Sequence, residues 1–183
     1  MTMTPRLRKL ALTAHIIASV GWLGAVAAFL ALAVAGLTSQ DAQLVRGAYL
    51  AMPVMTWYAI VPLCLAALLS GLISSLGTEW GLFRYYWIVI KLAITVLSTV
   101  VFLIHTQPIH LLAAAASTAT AFDAELRRMQ IQMVVAAGAA LVVLLVLTAL
   151  SVYKPRGLTP YGWRKQYMQR AASTPAVGDA APQ

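Results

Sequence analysis

The sequence predicts an all-α fold, a polytopic membrane four-helix bundle with helical extensions on the outer side. Three observations carry this. Of the 183 residues, 61% are hydrophobic and only 10% are charged, whereas a soluble domain carries about 25% charged residues. Four apolar runs each reach the roughly 20 helical residues needed to span about 30 Å of hydrocarbon. None of the four alternates as a barrel strand does, and in lipid only helices or closed barrels satisfy the backbone.

The elements follow in order. Residues 1–9 form a basic N-terminus with Arg6, Arg8 and Lys9, and the first span runs from Leu10 to Leu37. A secretory signal has an apolar region of about 7–15 residues, so this longer run is expected to stay uncleaved. Asp41 to Met52 has few helix breakers and leads to Pro53. A proline removes a backbone donor and fixes φ, so Pro53 is expected to start or kink the second span, Pro53 to Leu76. The third span is Tyr85 to His105. The Ala/Ser/Thr stretch from Ala113 to Ala121 fits helix or loop. Asp123 to Met133 reads without a break into the fourth span, Ile131 to Tyr153, and Asp123 and Arg127 have the spacing of an ion pair on one helical face. The transmembrane domain thus covers residues 10–153, and residues 154–183 form a basic tail. The Tyr161–Arg170 part of that tail suits the surface of the inner leaflet. Disorder is expected from Ala171 onward. No tandem repeat is evident.

Topology follows from the placement of Lys and Arg. With the N-terminus inside, Arg6, Arg8, Lys9, Arg84, Lys154, Arg156, Arg164, Lys165 and Arg170 lie on the inner side. The outer loops hold only Arg46, Arg127 and Arg128. Both termini are therefore expected in the cytoplasm. Trp80, Phe83, Tyr85, Tyr86 and Trp87 then form an inner aromatic belt, and Trp57 and Tyr58 an outer one. The formal charge of +8 sits mostly in terminal clusters beside apolar runs, which points to anionic lipid headgroups and not to nucleic acid. Cys64, the single cysteine, excludes an intrachain disulfide and any CxxC motif. The small residues Ala136 to Ala140 permit close helix packing, within one chain or in a homo-oligomer.

Ionisable groups inside a span are costly, and each is a functional candidate. His15 lies about one and a half turns inside the first span, and Lys91 sits at similar depth in the third. On the first helix His15, Ser19, Trp22 and Phe29 share a face, with Gly21 and Gly24 leaving room for a neighbouring backbone or a flat ligand. On the third, Lys91, Thr95, Ser98, Phe102 and His105 form a stripe expected to face the bundle interior. No span contains a carboxylate, which argues against a carboxylate-driven proton or cation carrier. There is no phosphate-binding glycine loop, no Ser-His-Asp set at one depth and no zinc motif. Met52, Met55, Met129, Met133, His105 and His110 gather at the outer boundary. Thioether and imidazole ligands suit Cu(I), so copper handling is one alternative.

The segments HIIASVGWLGA at 15–25, VPLCLAALLSGLISSLGTEWGLFRYYWIVIKL at 61–92 and FLIH at 102–105 resemble a family of uncharacterised bacterial four-helix integral membrane proteins. That resemblance covers most of residues 8–153 and implies a bacterial membrane fold without an assigned activity. The WLGA segment also looks like the membrane domain of copper-resistance D-type proteins. More remotely, His15 followed by Trp22 and Gly24, with Lys91 opening the third span, is similar to the HemJ-type protoporphyrinogen oxidases. This likeness implies a haem-binding bundle with a first-helix His and a third-helix Lys. It stops at Ala25 to Gly36, which carries no charge where that family has charged and aromatic residues.

The resulting expectation is a multi-pass protein of the bacterial cytoplasmic membrane that binds b-type haem in a redox or haem-related role. His15 ligates the iron, Lys91 pairs with a propionate or another anion, and Ser19, Trp22 and Thr95 line the site. The rival is a haem-free transport or interaction protein. Depth argues against a bis-histidine site with His105, since at about 1.5 Å per residue the two histidines differ in height by roughly 22 Å.

Overall fold

The computed structural model describes residues 3–77, 82–83, 85–104, 106–118, 124–153 and 157–173. Among them the chain forms seven α-helices and one π-helical turn, with no strand. The order is α1 (Pro5–Thr38), α2 (Ala42–Met55), the π turn Thr56–Ile60, α3 (Val61–Leu76), α4 (Tyr86–Ile104), α5 (Thr106–Thr118), α6 (Ala124–Tyr153) and α7 (Pro160–Ser173). The fold is all-α, as the composition requires.

Four helical stretches are long and apolar enough to cross a membrane: Pro5–Thr38, Ala42–Leu76, Tyr86–Thr118 and Ala124–Tyr153, of 34, 35, 33 and 30 residues. At about 1.5 Å per residue they measure about 45–52 Å, well beyond the roughly 30 Å of a hydrocarbon core. The excess is the predicted extension. α2, α5 and the start of α6 prolong the apolar segments at the end of the bundle that carries the α1–α2 connection, here termed the loop end. The opposite end, where Pro5, Leu76, Tyr86 and Tyr153 lie, is the terminal end. Large apolar side chains point outward in helical stripes, such as Leu65, Leu69 and Ile73 on α3 and Ile90, Leu97, Val101 and Ile104 on α4. A soluble monomer does not present apolar surface on this scale; acyl chains cover it at no cost.

Several local expectations are refined. Pro53 does not start the second span. It lies inside α2, and the irregularity follows as the π turn between Pro53 and Pro62. The physical reason is the donor deficit of two prolines in one helix. The Thr56 N–H is shared between the Met52 and Pro53 carbonyls, and the Val61 N–H reaches back five residues to the Thr56 carbonyl. The backbone stays bonded by widening one turn. The Ala/Ser/Thr stretch is helical through Thr118. α7 continues through Ser173, three residues past the point where disorder was expected. Asp41 caps α2, its carboxylate accepting from the Gln43 N–H at 2.9 Å. Asp123, the proposed partner of Arg127, lies outside the described residues, as does His105.

The bundle is packed in two storeys. α1 packs along α3 and α6, and at the loop end against α2, which in turn packs on α5. There the interior is solid. Tyr49, Met52 and Leu112 are fully buried and Met133 is 2% exposed. Gly36 makes this closeness feasible, because a Cβ there would lie 2.6 Å from Tyr49 Cζ. Towards the terminal end α4 touches α3 and α6 only sparsely, and a cavity separates it from α1. The chain closes this end with short ties. The Met3 N–H donates to the Gly77 carbonyl at 3.2 Å, and the Tyr86 N–H to that of Gly157 at 3.2 Å. Tyr85 and Leu158 form an isolated antiparallel bridge. The Thr159 hydroxyl donates to the Phe83 carbonyl at 2.5 Å and accepts the Gly162 N–H at 3.1 Å, capping α7.

Candidate functional site

The cavity of about 830 Å³ lies between the terminal halves of α1, α3, α4 and α6. Its volume is within the roughly 300–1,000 Å³ typical of small-molecule sites. His15, Ser19, Trp22, Lys91 and Thr95, the five residues singled out from the sequence, all line it. Its walls are mainly apolar, and no lining residue is acidic among those described.

The α1 face forms as its periodicity requires. Trp22 and Phe29 are each 6% exposed, and His15 and Ser19 are half-buried. His15 Nδ1 lies 3.0 Å from the Ala67 carbonyl oxygen and 3.2 Å from Ser70 Oγ. A carbonyl only accepts, so Nδ1 carries the proton and donates. The Ser70 hydroxyl spends its own proton on the Ala66 carbonyl and is free to accept from Nδ1 as well. This fixes the tautomer and leaves Nε2 with the lone pair. No described residue donates to Nε2. Metal-ligating histidines are commonly oriented this way, by a carbonyl on the other ring nitrogen. The ring sits in a notch on α3, where a Cβ on Gly71 would lie 3.0 Å from His15 Cε1. Gly21 serves a similar end, its missing Cβ 3.1 Å from Leu63 Cδ2, while Gly24 faces open space.

Across the cavity, Lys91 Nζ donates to Ser151 Oγ on α6 at 2.6 Å. Ser151 in turn donates to the Leu147 carbonyl at 2.7 Å. The ammonium is thus held by a neutral hydroxyl, with no carboxylate beside it among the described residues. The predicted stripe on α4 does face inward, with Thr95 buried and Lys91, Ser98 and Phe102 half-buried. Thr95 donates to the Lys91 carbonyl and Thr99 to that of Thr95, both at 2.8 Å. Cys64, buried on α3, lies 3.2 Å from Thr99 Oγ1 and is the donor there, since the Thr99 proton is already engaged.

The sequence reading missed Ser151 and Thr148 on α6, Ser70 and Gly71 on α3, and Arg8, all at the cavity or holding its groups. One signal for Ser151 was available, as it is a polar residue near the inner end of the fourth span, the side on which Lys91 lies in the third. The outer methionines all belong to the packed core of the loop end. Met52 and Met133 are interior packing, and Met55 and Met129 lie against that core. His110 is exposed, and its Nε2 accepts from Trp57 Nε1 at 3.0 Å. No group of three or more His, Cys, Asp or Glu side chains placed to hold a metal occurs among the described residues.

Compared with protein-family models, curated proteins and solved structures, the chain matches none.

Proposed function

We propose that this chain is a bacterial cytoplasmic-membrane protein, with both termini inside, whose terminal-end cavity binds b-type haem in a redox or haem-related role. One observation carries the reading. An imidazole with a free Nε2 and an ammonium with no carboxylate partner among the described residues line the same mostly apolar cavity. The donor set fits the group. His15 would hold the iron through Nε2 while Ala67 and Ser70 keep its ring in register. Lys91 would turn from Ser151 to a propionate, gaining the countercharge that offsets part of its burial cost. Trp22, Ser19 and Thr95 would bound the macrocycle. Bound there, the haem supplies one-electron redox chemistry. The orientation rests on the lysine and arginine asymmetry of the two ends.

The test is an absorption spectrum, oxidised and reduced, of protein purified in detergent from haem-replete cells. The native chain is expected to give a haem spectrum, which His15→Ala abolishes, Lys91→Ala weakens and His105→Ala leaves nearly unchanged. A colourless native protein overturns haem binding and favours a haem-free transport or interaction role. A spectrum lost with His105→Ala but kept with His15→Ala moves the site to the loop end.

A further inference from the structure

The cavity is not sealed from its surroundings by the bundle. Four of its lining residues, Leu12, Ile16 and Val20 on α1 and Val152 on α6, are themselves 52, 52, 63 and 72% exposed. So much exposure at wall residues means that the cavity is open and not enclosed along this flank. The four side chains are apolar and lie in helices long enough to span a membrane, so in a bilayer the opening meets acyl chains.

The polarity of the opening is ordered along the helix axis. Its cations, Arg8 and Lys91, stand three and five residues into their helices, within about 8 Å of the terminal end at about 1.5 Å per residue. The apolar strip from Leu12 to Val20 continues inward for about 12 Å more. A cation at headgroup level above an apolar strip is the complement of one leaflet-resident amphiphile. Among the described residues none supplies a carboxylate at the cationic end. Lys91 rests on the Ser151 hydroxyl, a contact that an anion would replace with a stronger, charge-assisted one.

From this we infer that the cavity is entered sideways from the bilayer and takes a membrane-dissolved amphiphile with an anionic head group. The head lies at Arg8 and Lys91 and the apolar body along Leu12, Ile16 and Val20. This extends the ligand-binding reading of the cavity to a class of molecule and a route. Lys91 can serve a propionate or a lipid head group but not both at once, and the outcomes below separate the two.

Trp22 reports on it, being buried inside the protein yet part of the cavity wall. A variant keeping Trp22 alone, with Trp57, Trp80, Trp87 and Trp163 changed to Phe, is reconstituted in vesicles. These contain mid-chain-brominated phosphatidylglycerol or, at equal mole fraction, brominated phosphatidylcholine. Bromine quenches indole only at contact. Quenching of Trp22 is expected to show an enrichment of phosphatidylglycerol over phosphatidylcholine of about fivefold, the scale of one basic side chain acting on an anionic lipid. Lys91→Met should weaken the preference and Lys91→Met with Arg8→Met abolish it, and Ile16→Phe with Val20→Phe should lower quenching by both lipids. Native mass spectrometry of the unaltered protein, counting retained phosphatidylglycerol against phosphatidylcholine, reads the same preference without any variant. No quenching of Trp22, or equal quenching and equal retention of both lipids, overturns the inference. A colourless protein with the lipid preference removes haem and keeps lateral entry. A haem-bearing protein without the preference does the reverse.

Discussion

The imidazole of His15 and the bare α-carbon of Gly71 are fitted to each other, a Cβ at residue 71 falling 3.0 Å from Cε1 and 3.4 Å from Nδ1. α3 therefore both receives the ring and bonds its Nδ1, so the direction of Nε2 is set by one turn of a neighbouring helix.

Gly71→Leu should evict the ring from its notch and break the bond to Ala67. Overpacking of this kind costs about 1–3 kcal/mol, to be read as a lowered midpoint of thermal unfolding in detergent. The same variant should lose whatever spectrum His15→Ala loses. Unchanged stability with an unchanged spectrum would show that the notch is not needed.

Ser151 and Lys91 should be coupled. Ser151→Ala leaves an ammonium with no acceptor among the described residues and is expected to destabilise by about 1 kcal/mol, the lower end for a charged donor because Lys91 is only half-buried. Adding Lys91→Met should recover that loss, since a flexible apolar chain of similar length needs no partner. A double-mutant cycle on unfolding midpoints measures it. Additive losses would mean that the 2.6 Å contact contributes nothing to stability.

Three glycines divide sharply. Gly36→Ala places a Cβ 2.6 Å from the ring of the fully buried Tyr49 and should cost about 1–3 kcal/mol by overpacking. Gly24→Ala and Gly138→Ala meet no atom within 4 Å. Both should be neutral, or stabilising by about 0.5–1 kcal/mol through helix propensity. Thermal unfolding of the three variants side by side gives the order.

A reporter that works only in the cytoplasm should be active when fused after Gln183, and one that works only outside should be active within residues 113–120. The reverse pattern would place the cavity mouth in the opposite leaflet.

The long runs made the architecture legible, because few arrangements other than membrane helices satisfy some twenty apolar residues in succession. The extensions were legible for a local reason, the scarcity of breakers between Asp41 and Met52. Of the two outcomes expected at Pro53, a start or a kink, the irregularity came, as a π turn that answers to Pro53 and Pro62 together. Half of the cavity was readable too. His15 and Lys91 are costly in lipid and so announce themselves, and helical spacing delivers Ser19, Trp22 and Thr95 with them. The other half was not. Ser70, Gly71 and Ser151 are ordinary residues in apolar helices, and only the register between helices, which periodicity within one helix does not encode, gives them a role.

The tie between α7 and α4 has a mechanical consequence. Tyr86 bonds to Gly157, Tyr85 bridges Leu158, and Thr159 is fastened to Phe83 while capping α7. α4 cannot swing away from α1 at this end without dragging α7 along or parting these bonds. α7 presents Tyr161, Trp163 and Tyr167, each more than half exposed, at the surface of the same end. A ligand that widens the gap between α1 and α4 would therefore register outside the bundle as a shift of α7, and whatever grips α7 gains leverage on the gap.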